Sequence, residues 1–126
     1  HLFSFNLVNR SAVDLSVGED IEDLGPAFSP NGLQIAFGRR QLDPALSTGG
    51  RQLWLMGRDG AAPNTITEKP EYKYSQFTWH PTLNQLAFVR FNNVVFTDPP
   101  EVWIIDLDTR IGTRLVISGF NPQWIP

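Results

Sequence analysis

The chain contains no cysteine, which excludes disulfides, thiolate metal sites and a cysteine nucleophile. Histidine is nearly as scarce, with His1 and His80 the two in the sequence. They form no H-E-x-x-H pair, and there is no G-x-S-x-G elbow and no glycine-rich phosphate loop. No catalytic residue, metal ligand set or cofactor is assigned. Charge is weakly biased, with 10 Lys and Arg against 13 Asp and Glu and a net charge of −3. That balance argues against a cationic face for nucleic acid or an anionic membrane. No apolar run approaches the ~20 residues of a membrane-spanning helix, so membrane insertion is not expected. The first residue is His1 and no charged-then-apolar leader follows. This predicts a processed product or a piece of a longer polypeptide.

Helical periodicity is missing as well. No stretch keeps apolar residues at i, i+3, i+4 and i+7 over three turns, and 10 Gly and 10 Pro interrupt the chain throughout. The 126 residues, 41% of them hydrophobic, suffice for one globular core. An all-β fold follows. Strands are predicted at 2–7, 13–15, 25–28, 33–38, 52–56, 64–67, 75–79, 85–90, 102–106, 113–117 and 121–124. Ser29-Pro30-Asn31-Gly32, Arg58-Asp59-Gly60 and Leu107-Asp108-Thr109 are tight-turn signals between them. Asn-Gly and Asp-Gly accept positive φ and close antiparallel hairpins.

The strongest signal is internal repetition. Pro26-Ala27-Phe28-Ser29-Pro30 precedes Ile35-Ala36-Phe37, and fifty-one residues later Phe77-Thr78-Trp79-His80-Pro81 precedes Leu86-Ala87-Phe88 at the same offset. Forty-five residues further on, Pro122-Gln123-Trp124-Ile125-Pro126 begins a third copy. A second landmark, Leu2-Phe3, Leu53-Trp54 and Val102-Trp103, repeats in step. All four tryptophans fall on these two landmarks. Four short strands per period of about 45–50 residues is the pattern of propeller blades. A β-sandwich also alternates strands and turns, but has no reason to repeat landmarks at matched spacing.

The expected organisation is one β-propeller segment, with two complete four-stranded antiparallel blades at 24–67 and 75–117. A partial blade at 1–18 and the first strand of the next blade at 121–126 flank them. A propeller closes with about four to eight blades, and this length holds roughly 2.6. Further blades of a longer chain, or other copies, are therefore expected partners.

Phe28-Ser29-Pro30-Asn31-Gly32, Ile35-Ala36-Phe37, Leu53-Trp54-Leu55-Met56 and Asp59-Gly60 resemble one copy of the TolB-type β-propeller repeat. Trp79, Pro81, Leu86-Ala87-Phe88, Val102-Trp103-Ile104-Ile105 and Asp106-Leu107 resemble another. Thr82-Leu83 stands where that repeat has Asp-Gly, and leucine accepts positive φ badly, so a different turn is expected. The resemblance implies a non-enzymatic protein-binding or scaffolding module in a periplasmic or other extracytoplasmic location. The alternative it implies is the propeller portion of a prolyl-oligopeptidase-like or tricorn-like peptidase whose catalytic domain lies outside these residues. A catalytic propeller of lyase type lacks its histidine and metal constellation.

Strand direction alternates within a blade, so the short turns share one end and the long connections, 39–51, 91–100, 19–23 and 68–74, share the other. Long loops on a rigid scaffold are where recognition concentrates. Arg39, Arg40, Tyr72, Tyr74 and Phe91 are the candidate protein-binding residues there, being of types favoured as interface anchors. Glu19, Asp20, Glu22 and Asp23 form the densest acidic run, a weaker candidate for a cation or a basic partner, without the alternating ligand pattern of a calcium loop. His80 replaces Ser29 of the preceding copy and reads as a turn cap. Asn9-Arg10-Ser11 matches a glycosylation acceptor and also lies where a hairpin turn belongs.

Overall fold

The computed structural model describes residues 1–47 and 49–125. Among the described residues ten strands form, all in antiparallel neighbours: β1 (Phe3–Asn6), β2 (Ser11–Asp14), β3 (Ile21–Phe28), β4 (Gln34–Gln41) and β5 (Gln52–Gly57) come first. They are followed by β6 (Asn64–Thr65), β7 (Tyr72–Trp79), β8 (Gln85–Asn92), β9 (Glu101–Asp106) and β10 (Gly112–Ile117). β1 and β2 make a hairpin, β3-β4-β5-β6 a four-stranded sheet, and β7-β8-β9-β10 a second one. Each sheet is a meander, as short tight connections between apolar alternating runs require.

Alternation along the central strands gives each sheet two apolar faces. Ile35, Phe37 and Met56 point to one side of the first sheet, where Leu2 and Leu15 cover them and Trp54 packs alongside. Ala36, Leu53 and Leu55 point to the other side and meet Tyr74, Leu86, Phe88 and Ile105 of the second sheet. Trp103 packs on this second core as Trp54 does on the first. A sheet buried on both faces must be sandwiched between neighbours, and the stacking supplies them.

The indoles of the other landmark join consecutive repeats. Trp79 Nε1 donates to the Ala27 carbonyl at 2.9 Å, and Trp124 Nε1 donates to the Thr78 carbonyl at 3.2 Å. Ala27 and Thr78 hold matching places in their strands, so one bond is made twice. A bulge also recurs, between Leu24 and Ala27 in β3 and between Ser75 and Thr78 in β7. Its left-handed residue is Gly25 (φ 65°) in β3 and Gln76 (φ 56°) in β7, and Asn121 (φ 47°) repeats the conformation.

Two expectations change. Residues 121–124 form no strand. The paired strands β3, β4, β7 and β8 also run further than expected toward the end that carries the long connections. Ladder pairing joins Asp23 to Arg39, Glu22 to Arg40, and Lys73 to Phe91. Residues that read as loop because they are charged are strand ends.

Candidate functional site

The long connections do gather at one end. They comprise 42–51 and 93–100 within the two sheets, and 15–20 and 66–71 between consecutive sheets. The opposite end carries tight turns fixed by their own side chains. Ser29 Oγ accepts from Gln34 N at 3.0 Å, and Asn31 Oδ1 accepts from Leu33 N at 3.0 Å. In the next copy His80 Nδ1 accepts from Thr82 N at 3.1 Å and Leu83 N at 3.0 Å. The imidazole thus caps the turn, and Leu83 avoids the positive φ that Gly32 adopts. Asn9 closes the β1–β2 hairpin by accepting from Ser11 N and Ser11 Oγ.

Of the candidate residues, several are interior. Arg39 is buried, donating from Nε and Nη2 to the two carboxylate oxygens of Asp23 at 2.7 and 2.6 Å. Its guanidinium also lies over the Phe37 and Trp54 rings. Asp23 is fully buried by this pairing. Tyr74 is buried beside Phe88, and burial pushes its phenol above the ordinary value, an effect the nearby Arg90 charge offsets only in part. Arg39 and Asp23 therefore tie β3 to β4 within the first sheet, and Tyr74 lies in the core between the two sheets.

Others lie at or near the surface. Arg40, Glu19 and Asp20 are exposed, and Glu22 accepts from Arg51 Nη2 at 2.5 Å. The acidic run is thus split, two carboxylates consumed by arginines and two in solvent. Among the described residues, no group of three or more His, Cys, Asp or Glu could hold a metal ion. Tyr72 is half-buried under the Arg90 guanidinium, 3.9 Å from its ring centre, while Trp103 lies 4.0 Å from the same group. Phe91 is half-buried against Phe120.

Glu101 anchors this stack, accepting from Arg90 Nε at 2.6 Å, Trp103 Nε1 at 2.9 Å and Arg114 Nη1 at 2.9 Å. Burial alone would raise its carboxyl, but these three donors outweigh it and hold the group below the ordinary value. Gly50 runs so close to β7 that a Cβ there would lie 2.0 Å from the Tyr72 carbonyl oxygen. Tyr74 N donates to the Arg51 carbonyl at 2.8 Å, tying the two sheets at this end.

Sequence reasoning missed an exposed apolar cluster at this end. Val94, Val95 and Phe96 project from the 93–100 connection with 69%, 45% and 84% of their surface accessible. An apolar triplet between Asn92-Asn93 and Asp98-Pro99-Pro100 was the available signal.

No family model matches the chain. It is 36% identical over 66 residues to the uncharacterized protein YidR of Escherichia coli (strain K12), covering 52% of this chain and 15% of that protein. The structure is similar to that of a putative TolB from Agrobacterium tumefaciens, with a TM-score of 0.70 and 25% identity over 89% of this chain and 39% of that one. It is also similar to TolB from Acinetobacter baumannii, with a TM-score of 0.69 and 18% identity over 90% of this chain and 26% of that one. The chain therefore spans well under half the length of each of these proteins. With its stacked four-stranded meanders and recurring landmarks, the chain has the TolB-like β-propeller fold.

Proposed function

We propose that the chain is a non-enzymatic protein-binding module that meets its partner at the end carrying the long connections. One observation carries this reading: the two longest connections, 42–51 and 93–100, and both connections between sheets lie at that end, on strands whose ends are locked by Asp23–Arg39 and by the Arg90–Glu101 stack. A rigid frame below varied loops lowers the ordering cost of recognition, whereas the self-capped turns opposite have little side-chain reach. Arg40, with Tyr72 and Phe91 as half-buried supports, is the part of the expected set still placed for contact. The open faces of the β1–β2 hairpin and of β10 meet further blades, and the module works on the extracytoplasmic side. Photo-crosslinking in the host cell tests the reading, with a benzophenone side chain placed at Arg40 or Glu71 and, separately, at Asn31 or Thr109. A specific adduct from the first pair alone is expected. Adducts from the turn end alone would overturn it.

A further inference from the structure

The connection between β8 and β9 is built to hold an apolar tip in water. Asn92 Oδ1 accepts from Val94 N at 3.0 Å and Val95 N at 2.9 Å, while Asn92 Nδ2 donates to Asp98 Oδ2 at 2.7 Å. Asp98 N closes the loop on the Val95 carbonyl at 3.1 Å, and Asn93 N anchors it to the Glu71 carbonyl at 2.7 Å. The Asn93 side chain reaches the Gly49 carbonyl of the neighbouring connection. These bonds order a segment whose side chains contribute little burial of their own. Phe96 is the most exposed aromatic ring here, at 84%. Ordering an apolar ring in solvent gives the folded chain nothing, but it removes the entropy a partner would otherwise have to overcome.

The charges around the tip select its occupant. The Asp98 carboxylate closes the loop on Asn92, the exposed Glu71 is bonded to the loop through its backbone carbonyl, and Glu19, Asp20 and Glu68 are exposed at the same end. Arg40, Lys69 and Lys73 are the exposed cations there, fewer than the acids. We infer that Phe96, flanked by Val94 and Val95, is the anchor onto which a basic amphipathic segment of a partner protein docks. Its apolar face covers the ring and its lysines or arginines meet Glu71 and Asp98. This inference rests on the proposed protein-binding end and names the partner's chemistry.

Two synthetic amphipathic peptides test it, identical in their Leu and Trp face, one carrying Lys and the other Glu at every polar position. Fluorescence anisotropy with the full chain should show the Lys peptide binding at least about tenfold tighter than the Glu peptide. Phe96→Ala should weaken the Lys peptide at least about tenfold, Phe96→Trp should retain it, and Glu71→Lys should weaken it. Equal affinity for the two peptides, or indifference to Phe96→Ala, overturns the inference. Phe96-dependent sedimentation with phosphatidylglycerol vesicles, without peptide binding, overturns it in favour of a lipid surface. Loss of binding in Glu71→Lys but not in Phe96→Ala removes the anchor and leaves the end intact. Binding lost only with variants at Asn31 or Thr109 removes the binding end as well.

Discussion

Asp23 and Arg39 share two hydrogen bonds inside the first sheet, yet the matching positions of the second sheet are Tyr74 and Arg90. The carboxylate has moved to another strand: Arg90 is met by Glu101 of β9, while Gln52, at the place of Glu101, makes neutral bonds to Lys69 N and Thr67 Oγ1. Each of these two arginines has one acid, but from a different neighbour. Both guanidiniums keep a tryptophan face, Trp54 or Trp103.

Removing one partner of a buried pair leaves the other charged without compensation. Asp23→Asn is expected to cost about 3–5 kcal/mol in urea unfolding. The half-exposed pair Arg114–Glu101 is a control, and Arg114→Ala should cost under about 1 kcal/mol.

Trp79 combines a packed indole with the bond to the Ala27 carbonyl. Trp79→Ala should cost about 3–5 kcal/mol through the cavity it leaves. Trp79→Phe keeps most of the apolar surface and should lose only about 1 kcal/mol, the worth of the hydrogen bond. No loss in Trp79→Phe, measured by urea unfolding, would deny the bond its role, and a loss equal to that of Trp79→Ala would deny the packing its role.

A methyl group separates two glycines sharply. At Gly50 it would meet the Tyr72 carbonyl at 2.0 Å, whereas at Gly112 it would meet Trp103 at an ordinary 3.5 Å. Gly50→Ala is expected to destabilise by about 1–3 kcal/mol or more, as forced overpacking does. Gly112→Ala should be neutral or stabilising by up to about 1 kcal/mol, through the unfolded chain. Thermal midpoints of the two variants check the contrast.

Glu101 gives the acid limb of stability its shape. Its carboxyl is held below the ordinary value in the folded chain, so the unfolded chain binds the proton first as pH falls. The contribution is complete above the ordinary carboxylate range and disappears as pH drops through the lowered folded value. Urea midpoints should therefore decline on acidification, and Glu101→Gln should flatten that decline. An unchanged acid slope in the variant would show that other carboxylates dominate.

The fold was legible because its repeats are apolar landmarks at fixed spacing, and apolar alternation is what a two-faced sheet imposes on sequence. The ends of β3, β4 and β7 were not, because Asp23, Arg39 and Lys73 look like loop residues when hydropathy is the guide. A buried ion pair has no periodicity: Asp23 and Arg39 lie on different strands, and only the register brings them together. The same blindness hid Phe96. Nothing in its type separates a displayed ring from a buried one, so Phe91 was favoured although it packs on Phe120.

The left-handed residues at Gly25 and Gln76 have a consequence for association. β3 and β7 each lie at one end of their sheet's order, so one side of each strand has no ladder partner. A straight row of such groups is a template on which another chain can add a strand and grow an aggregate. The bulge cuts that row in two, leaving Ile21–Leu24 and Ala27–Phe28 paired in separate registers on β3, and the equivalent split on β7. Gln76 holds this geometry although a side chain there costs about 1–2 kcal/mol that Gly25 avoids. The bend turns each terminal strand away from strand addition by its shape, and Pro26 in the bulge of β3 and Lys73 on β7 add to that guard.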